Sequence, residues 1–166
     1  MIPGLPRGVR SAVYRRIVEQ LRTDPVLSNV VKTWETWDRP SEPQIDAITT
    51  APALRVMPVL GSVAWYSPDA QFGPLQLRYE LYLEGVDGCD ALDVQDALER
   101  AIYPADIAKQ RAFQRDLVNL GCHTGLITFS QPAAIQAQES DMVMCPGLMQ
   151  IEIVRGFNPG GPDAGS

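Results

Sequence analysis

The chain has 166 residues, 45 % of them hydrophobic and 20 % charged, with a formal net charge of −6. That is enough chain for one domain with a core that needs no disulfide or metal staple, and the composition excludes global disorder, a collagen-like repeat and a disulfide scaffold. The acidic balance argues against a nucleic-acid binder, which needs clustered cations. All the basic residues except Lys32 and Lys109 are arginines, the cation better suited to bidentate pairing at interfaces.

The most apolar stretch, Ala53 to Tyr66, contains Arg55, Pro58 and Gly61 and falls short of the roughly 20 continuous apolar residues of a membrane-crossing helix. The first residues lack the basic-then-apolar order of a signal peptide. Cys89, Cys122 and Cys145 are odd in number and widely spaced, so free thiols in a reducing cytoplasm are expected.

A helix is predicted from Arg7 or Gly8 to about Arg22. Val9, Val13, Ile17 and Leu21 recur every four residues with Val18 beside them, while Arg10, Arg15, Arg16, Glu19 and Arg22 fall largely off the stripe. Asp24-Pro25 reads as an N-cap followed by proline at the first helical position, opening one extra turn. Val30–Trp37 is rich in β-branched and aromatic residues and reads as a strand closed by Asp38-Arg39-Pro40. Ser41–Thr50 reads as loop. Leu54–Leu60 reads as a second strand, at an edge because of Pro58, and Val63–Tyr66 extends it or starts a third.

Ser67–Pro74 is a turn-rich tip. Beyond it Leu75, Leu77, Tyr79, Leu81 and Leu83 alternate with Gln76, Arg78, Glu80, Tyr82 and Glu84. This period of two buries one face and leaves the other wet or at an interface. Asp87-Gly-Cys-Asp90 turns into a helix with Asp90 as N-cap, an apolar face of Leu98, Ala101 and Ile102 joined by Val94 or Ala97, and Pro104 as its stop. Another helix runs from about Asp106 to Leu120 on Ile107, Phe113, Leu117 and Leu120, with Gly121 just past its end. Leu126–Phe129 is a short strand, Gln131–Ser140 an irregular connection, and Leu148–Val154 the final strand, with Met149, Ile151 and Ile153 on one face. Strands on both sides of a helix pair, without βαβ alternation, give an α+β class: a mainly antiparallel sheet with an N-terminal helix and two central helices packed on it. Residues 1–155 form a single domain in this reading, and the Gly/Pro-rich 156–166 a flexible tail.

The chain carries no glycine-rich phosphate cradle, and its single histidine excludes a two-histidine metal motif. Cys122-His123 is the one nucleophile–base pair available to a small cytoplasmic enzyme, but adjacent strand residues point apart and no third group orients them. A zinc site from Cys89, Cys122, His123 and Cys145 lacks any paired-ligand spacing. Asp87, Asp90, Asp93 and Asp96 do not follow the calcium-loop order and fit a helix N-terminus instead. No catalytic residue, metal or cofactor is assigned.

Charge is uneven: residues 1–39 carry +3, 40–104 carry −7 and 105–166 carry −2. The basic and acidic segments either pair between copies of the chain in a ring or are two solvated faces. Trp34 and Trp37 face opposite sides of a strand, and Trp65, Tyr66 and Phe72 flank the turn-rich tip, as anchors for a protein partner or as covers of core edges.

The alternating strand Leu75-Gln-Leu-Arg-Tyr-Glu-Leu-Tyr-Leu-Glu84, the Leu-rich helix ending in Ile102-Tyr103-Pro104 and the order of elements around them resemble the tail terminator proteins of long-tailed, lambda-like bacteriophages. The likeness of order spans roughly residues 8–155, with Gln131–Pro146 and the Gly/Pro tail as departures. The resemblance implies a virion structural protein made in the host cytoplasm and located in the tail or neck. It implies a hexameric ring that caps the tail tube, stops its polymerisation and joins it to the head-side connector, with DNA passing unread through the lumen. The expected partners are further copies of the chain, the tail tube protein and the connector or stopper protein. The expected contacts are Trp65, Tyr66 and Phe72 at the tip and a loop around Met142 and Met144. Arg15, Arg16, Arg22 and Arg39 are expected to pair subunits. Another neck protein, such as a stopper or tail-completion factor, is the alternative.

Overall fold

The computed structural model describes residues 8–39, 51–59, 72–85, 88–130, 135–136 and 141–154. Its elements run α1 (Val9–Thr23), α2 (Pro25–Val30), β1 (Thr33–Thr36), β2 (Ala53–Pro58), β3 (Phe72–Glu84), α3 (Gly88–Ile102), α4 (Ile107–Asn119), β4 (Thr128–Ser130), β5 (Ile135–Gln136) and β6 (Met142–Val154). The sheet order is β1-β2-β3-β6-β4, with β5 also pairing β6. Every pairing is antiparallel except β1 with β2. The fold is α+β, as the element order predicts.

The sheet is organised by β3 and β6, which pair over all thirteen residues from Phe72↔Val154 to Glu84↔Met142. Leu75, Leu77, Tyr79, Leu81 and Leu83 are all buried, together with Cys145, Met149, Ile151 and Ile153 from β6. They form one cluster with the α1 stripe (Val9, Val13, Ile17, Val18, Leu21), Leu27 of α2, Leu98, Ala101 and Ile102 of α3, and Phe113 and Leu117 of α4. The four helices among the described residues therefore cover one face of the sheet, and the even-numbered residues of β3 occupy the other.

Local chemistry accounts for the helix ends. The Asp24 carboxylate accepts from the N–H groups of Val26 and Leu27 at 3.0 and 2.9 Å, with Pro25 in the first turn. The Asp106 carboxylate caps α4 in the same way. At the far end of α4, Gly121 adopts φ 113°; its N–H donates to Val118 O and that of Cys122 to Leu117 O, the paired bonds of a Schellman ending. Tyr103, just past α3, receives the N–H of Ile127 on its hydroxyl at 2.7 Å and donates back to the Ile127 carbonyl, pinning the chain ahead of β4.

Several expectations need correction. Val30 closes α2 instead of opening a strand, because Asp24-Pro25 drives a six-residue helix. β2 is not an edge strand: it lies between β1 and β3, and Pro58 is tolerated because the β1 pairing stops at Val56. Phe72–Pro74 belong to β3 and not to a turn, with Pro74 beyond Leu77, where the β2 pairing ends. Asp90 stands inside the first turn of α3, which begins at Gly88, and so is not its N-cap. Ile107 is 62 % exposed and lies off the apolar face of α4. Leu126 precedes β4, and Ile135–Gln136 pair with β6. The final strand starts at Met142, six residues before Leu148, so Met142 and Met144 are strand residues and not a loop. The segments 41–50, 63–66 and 156–166 lie outside the described residues.

The β6 extension depends on Gly147. A Cβ there would stand 2.1 Å from Cζ of the Tyr79 ring, whereas one at Gly88 would meet nothing within 4 Å. Gly147→Ala is expected to destabilise the fold by about 1–3 kcal/mol, as overpacking a filled core does. Gly88→Ala should stay within about 0.5 kcal/mol of the parent. Urea unfolding followed by circular dichroism checks this, and equal midpoints for the two variants would contradict the packing.

Candidate interaction surface

The sheet face that carries no helix among the described residues has a row of charges built directly by strand register. Arg55 on β2 has Glu35 of β1 on one side and Glu80 of β3 on the other, giving acid, base and acid side by side on one face. Arg55 reaches Glu35 through Nε and Glu80 through Nη1, each at 3.0 Å. Arg78 holds the second oxygen of Glu80 at 2.9 Å, and the Tyr82 hydroxyl donates to Glu80 at 2.6 Å. Glu80 is only 6 % exposed, and three donors satisfy its carboxylate. Burial alone would lower the Arg55 pKa. The Glu35 hydrogen bond and the surrounding Tyr82, Glu35 and Glu80 outweigh that and raise it.

Around this cluster stand half-buried apolar side chains. Register puts Met57 and Leu148 opposite Arg78, Met144 opposite Tyr82 and Met142 opposite Glu84, all on the helix-free face. Met142 and Met144 thus join the polar residues of β3 on one surface. Met57 and Leu148 complete it; no local sequence pattern marks them, because strand alignment alone sets them beside Arg78. Methionines at such a surface adapt to a partner's shape.

The remaining predicted contacts are spread out. Trp65 and Tyr66 lie outside the described residues. Phe72 is the first residue of β3, paired with Val154. Arg16 binds Asp116 through Nε and Nη2, bonds Gln20 and stacks 4.8 Å over the Phe113 ring, tying α1 to α4. Arg22 donates to Thr36 at 2.6 Å and covers Trp34. Arg15 and Arg39 are exposed. Trp37 is 57 % exposed, whereas Trp34 packs against the core.

The Cys122-His123 pair lacks the chemistry of a catalytic dyad. Cys122 is buried and its thiol pKa is pushed up to about 12 by that burial, the opposite of an activated thiolate. His123 is exposed. Among the described residues no three His, Cys, Asp or Glu side chains are grouped to hold a metal ion, and no helix is long and apolar enough to cross a membrane.

No protein-family model and no curated protein matches the chain. Among solved structures, the fold is similar to that of a chain from the virion of a native gene transfer agent particle, with a TM-score of 0.54 at 13 % identity. The match covers 89 % of this chain and 98 % of that one.

Three outcomes are expected. Arg55→Met removes one of the three donors to buried Glu80 and the bridge to Glu35, and should cost about 1.5–3 kcal/mol, the range for hydrogen bonds to charged groups; unfolding midpoints measure it, and a loss below about 1 kcal/mol, typical of exposed pairs, would contradict the role of Arg55. Exposed Cys89 should react with a thiol reagent in the native state, and buried Cys122 and Cys145 only on unfolding. Because Cys122 keeps its proton when folded up to about pH 12, against the ordinary 9.0 when unfolded, stability should fall as pH rises through that window. Rapid native labelling of Cys122 would contradict both statements.

Proposed function

We propose that this chain is a virion structural protein of the tailed-phage type, and within that class a tail terminator. In this reading, identical copies form a hexameric ring on the last layer of the tail tube, stop its growth and offer a surface to the head-side connector, with DNA passing through the lumen. Residues 1–155 act as one domain, with 156–166 as a tail. The observation that carries the reading is the fold match, which takes in nearly the whole of a chain from a virion particle rather than a shared fragment. The Leu-rich helix ending at Ile102-Tyr103-Pro104 and the alternating β3 add to it. So does a surface of partly exposed methionines around a satisfied ion cluster, which suits protein contact better than catalysis. A net charge of −6 suits a channel that does not retain DNA. Met142 and Met144, with Trp65, Tyr66 and Phe72, are the proposed contacts to the tube or connector. A different neck protein, a stopper or completion factor, is the second reading; binding to filled heads in preference to tube ends would favour it.

The test is to add the purified protein to tube protein that is polymerising and to measure tube lengths by electron microscopy. The reading expects growth to stop and shorter tubes as the ratio of protein to tube subunits rises. Alanine at Trp65, Phe72, Met142 and Met144 together should weaken capping at least tenfold. An unchanged length distribution with the parent protein overturns the reading.

A further inference from the structure

Two helices present outward stripes of opposite charge. On α4, Ile107, Arg111, Arg115 and Val118 follow one another at spacings of four, four and three, so they share one face. All four are exposed, Ile107 by 62 % and Val118 by 41 %. Lys109 is exposed on the same helix, and Arg15 on α1 lies next to the Arg16–Asp116 bridge that joins the two helices. None of Arg15, Lys109, Arg111 and Arg115 enters an ion pair among the described residues. On α3, Leu92, 64 % exposed, stands beside Asp93, with Asp90 one turn away. Glu84 ends β3 a short connection earlier, and Asp141 is held next to it by the bond from Gly85 N–H to the Asp141 carbonyl. Glu84, Asp90, Asp93 and Asp141 are all exposed; further along α3, Asp96 is offset by Arg100 at 3.7 Å.

The two groups stand toward opposite ends of the sheet. α4 ends at Asn119 and Cys122, three residues on, bridges Ile153, while the acidic group sits where Glu84 faces Met142. Eleven residues of β6 separate those two points, roughly 36 Å at strand rise. The C-terminal end of the α4 stripe therefore lies far from the acidic group.

We infer that the basic α4 stripe of one copy docks on the acidic α3 end of the next, so that copies associate head to tail. This rests on the ring reading above and names the surfaces that would build the ring. Head-to-tail contacts between unlike patches close into rings when the rotation per copy allows. Each stripe has the make-up of an interface, with an apolar anchor (Ile107 and Val118 on one side, Leu92 on the other) beside charges that set orientation. Arg111 and Arg115 supply planar, bidentate partners for carboxylates. Nucleic acid is the other polyanion a basic stripe attracts, but the acidic complement here lies on the same chain and the net charge of −6 repels DNA.

The test uses the full chain and two reversal variants, Arg111→Glu with Arg115→Glu and Glu84→Arg with Asp93→Arg, all at exposed positions. Light scattering at low and high salt reads the mass, and circular dichroism confirms the fold of each. The parent should associate at low salt, and its apparent dissociation constant should rise at least tenfold in high salt. Each variant alone should be monomeric, because it presents two ends of like charge. Mixing the two variants should restore association. A parent that stays monomeric at its highest soluble concentration in low salt overturns the inference, as do variants that associate like the parent or a mixture that stays monomeric. If instead the variants lose only binding to a short DNA duplex, the stripe serves nucleic acid and the inference is wrong. Capping of tubes by a parent that stays monomeric would overturn the head-to-tail docking while leaving the terminator reading standing. Association without any effect on tube length would do the reverse.

Discussion

The antiparallel ladder between β3 and β6 is the constraint on which the rest of the structure depends. Once thirteen residues are paired in a single register, alternation decides the fate of every side chain on both strands. One face becomes the floor of the helical layer, with Leu77, Leu81 and Met149 fully covered. The other face takes Arg78, Glu80 and Tyr82, and hence the ion cluster with Arg55. A slip of one residue would drive Glu80 into the apolar layer and expose the leucines. The Arg55 cluster is thus a consequence of register and also a lock on it, since Glu35, Arg55 and Glu80 meet only when three strands are aligned.

Strand prolines follow from the same sheet plan. Pro58 lies beyond the last β1 partner of β2, and Pro74 lies where β3 has no β2 partner. Pro146 falls between the β5 pairing at Val143–Met144 and the β4 pairing at Leu148–Gln150. Each sits where one side of its strand has no partner among the described residues, so the missing N–H interrupts no ladder on that side. The sheet is narrow at these points, and the long central pair carries its continuity.

This also explains what was legible in the sequence. The α1 stripe, the Asp24-Pro25 start, the α4 ending at Gly121 and the strict alternation of β3 are local signals with local causes, and each could be read directly. The first half of β6 could not, because Met142-Val-Met-Cys-Pro-Gly147 carries two residues that ordinarily break strands. Gly147 is there to leave room for the Tyr79 ring, a contact 68 residues away along the chain, and Pro146 uses a gap set by β4 and β5. The central position of β2 was hidden for the same reason, since only the parallel addition of β1 covers its outer edge. At the surface, alternation announced a wet face on β3, but the partners that make it a cluster, Glu35 and Arg55, come from strands whose alignment no local pattern records. The arginines of α1 show the converse: charge alone marked them, whereas the contacts of Arg16 with Asp116 and of Arg22 with Thr36 come from elements far along the chain.

We propose above that this chain is a building block at the end of a tail tube. Cryo-electron microscopy of tubes incubated with the purified protein tests it most directly. The account predicts one closed ring of identical copies at the tube end, with density that accepts the sheet and its single layer of helices. Bare tube ends, or the protein scattered along the tube wall, would contradict it.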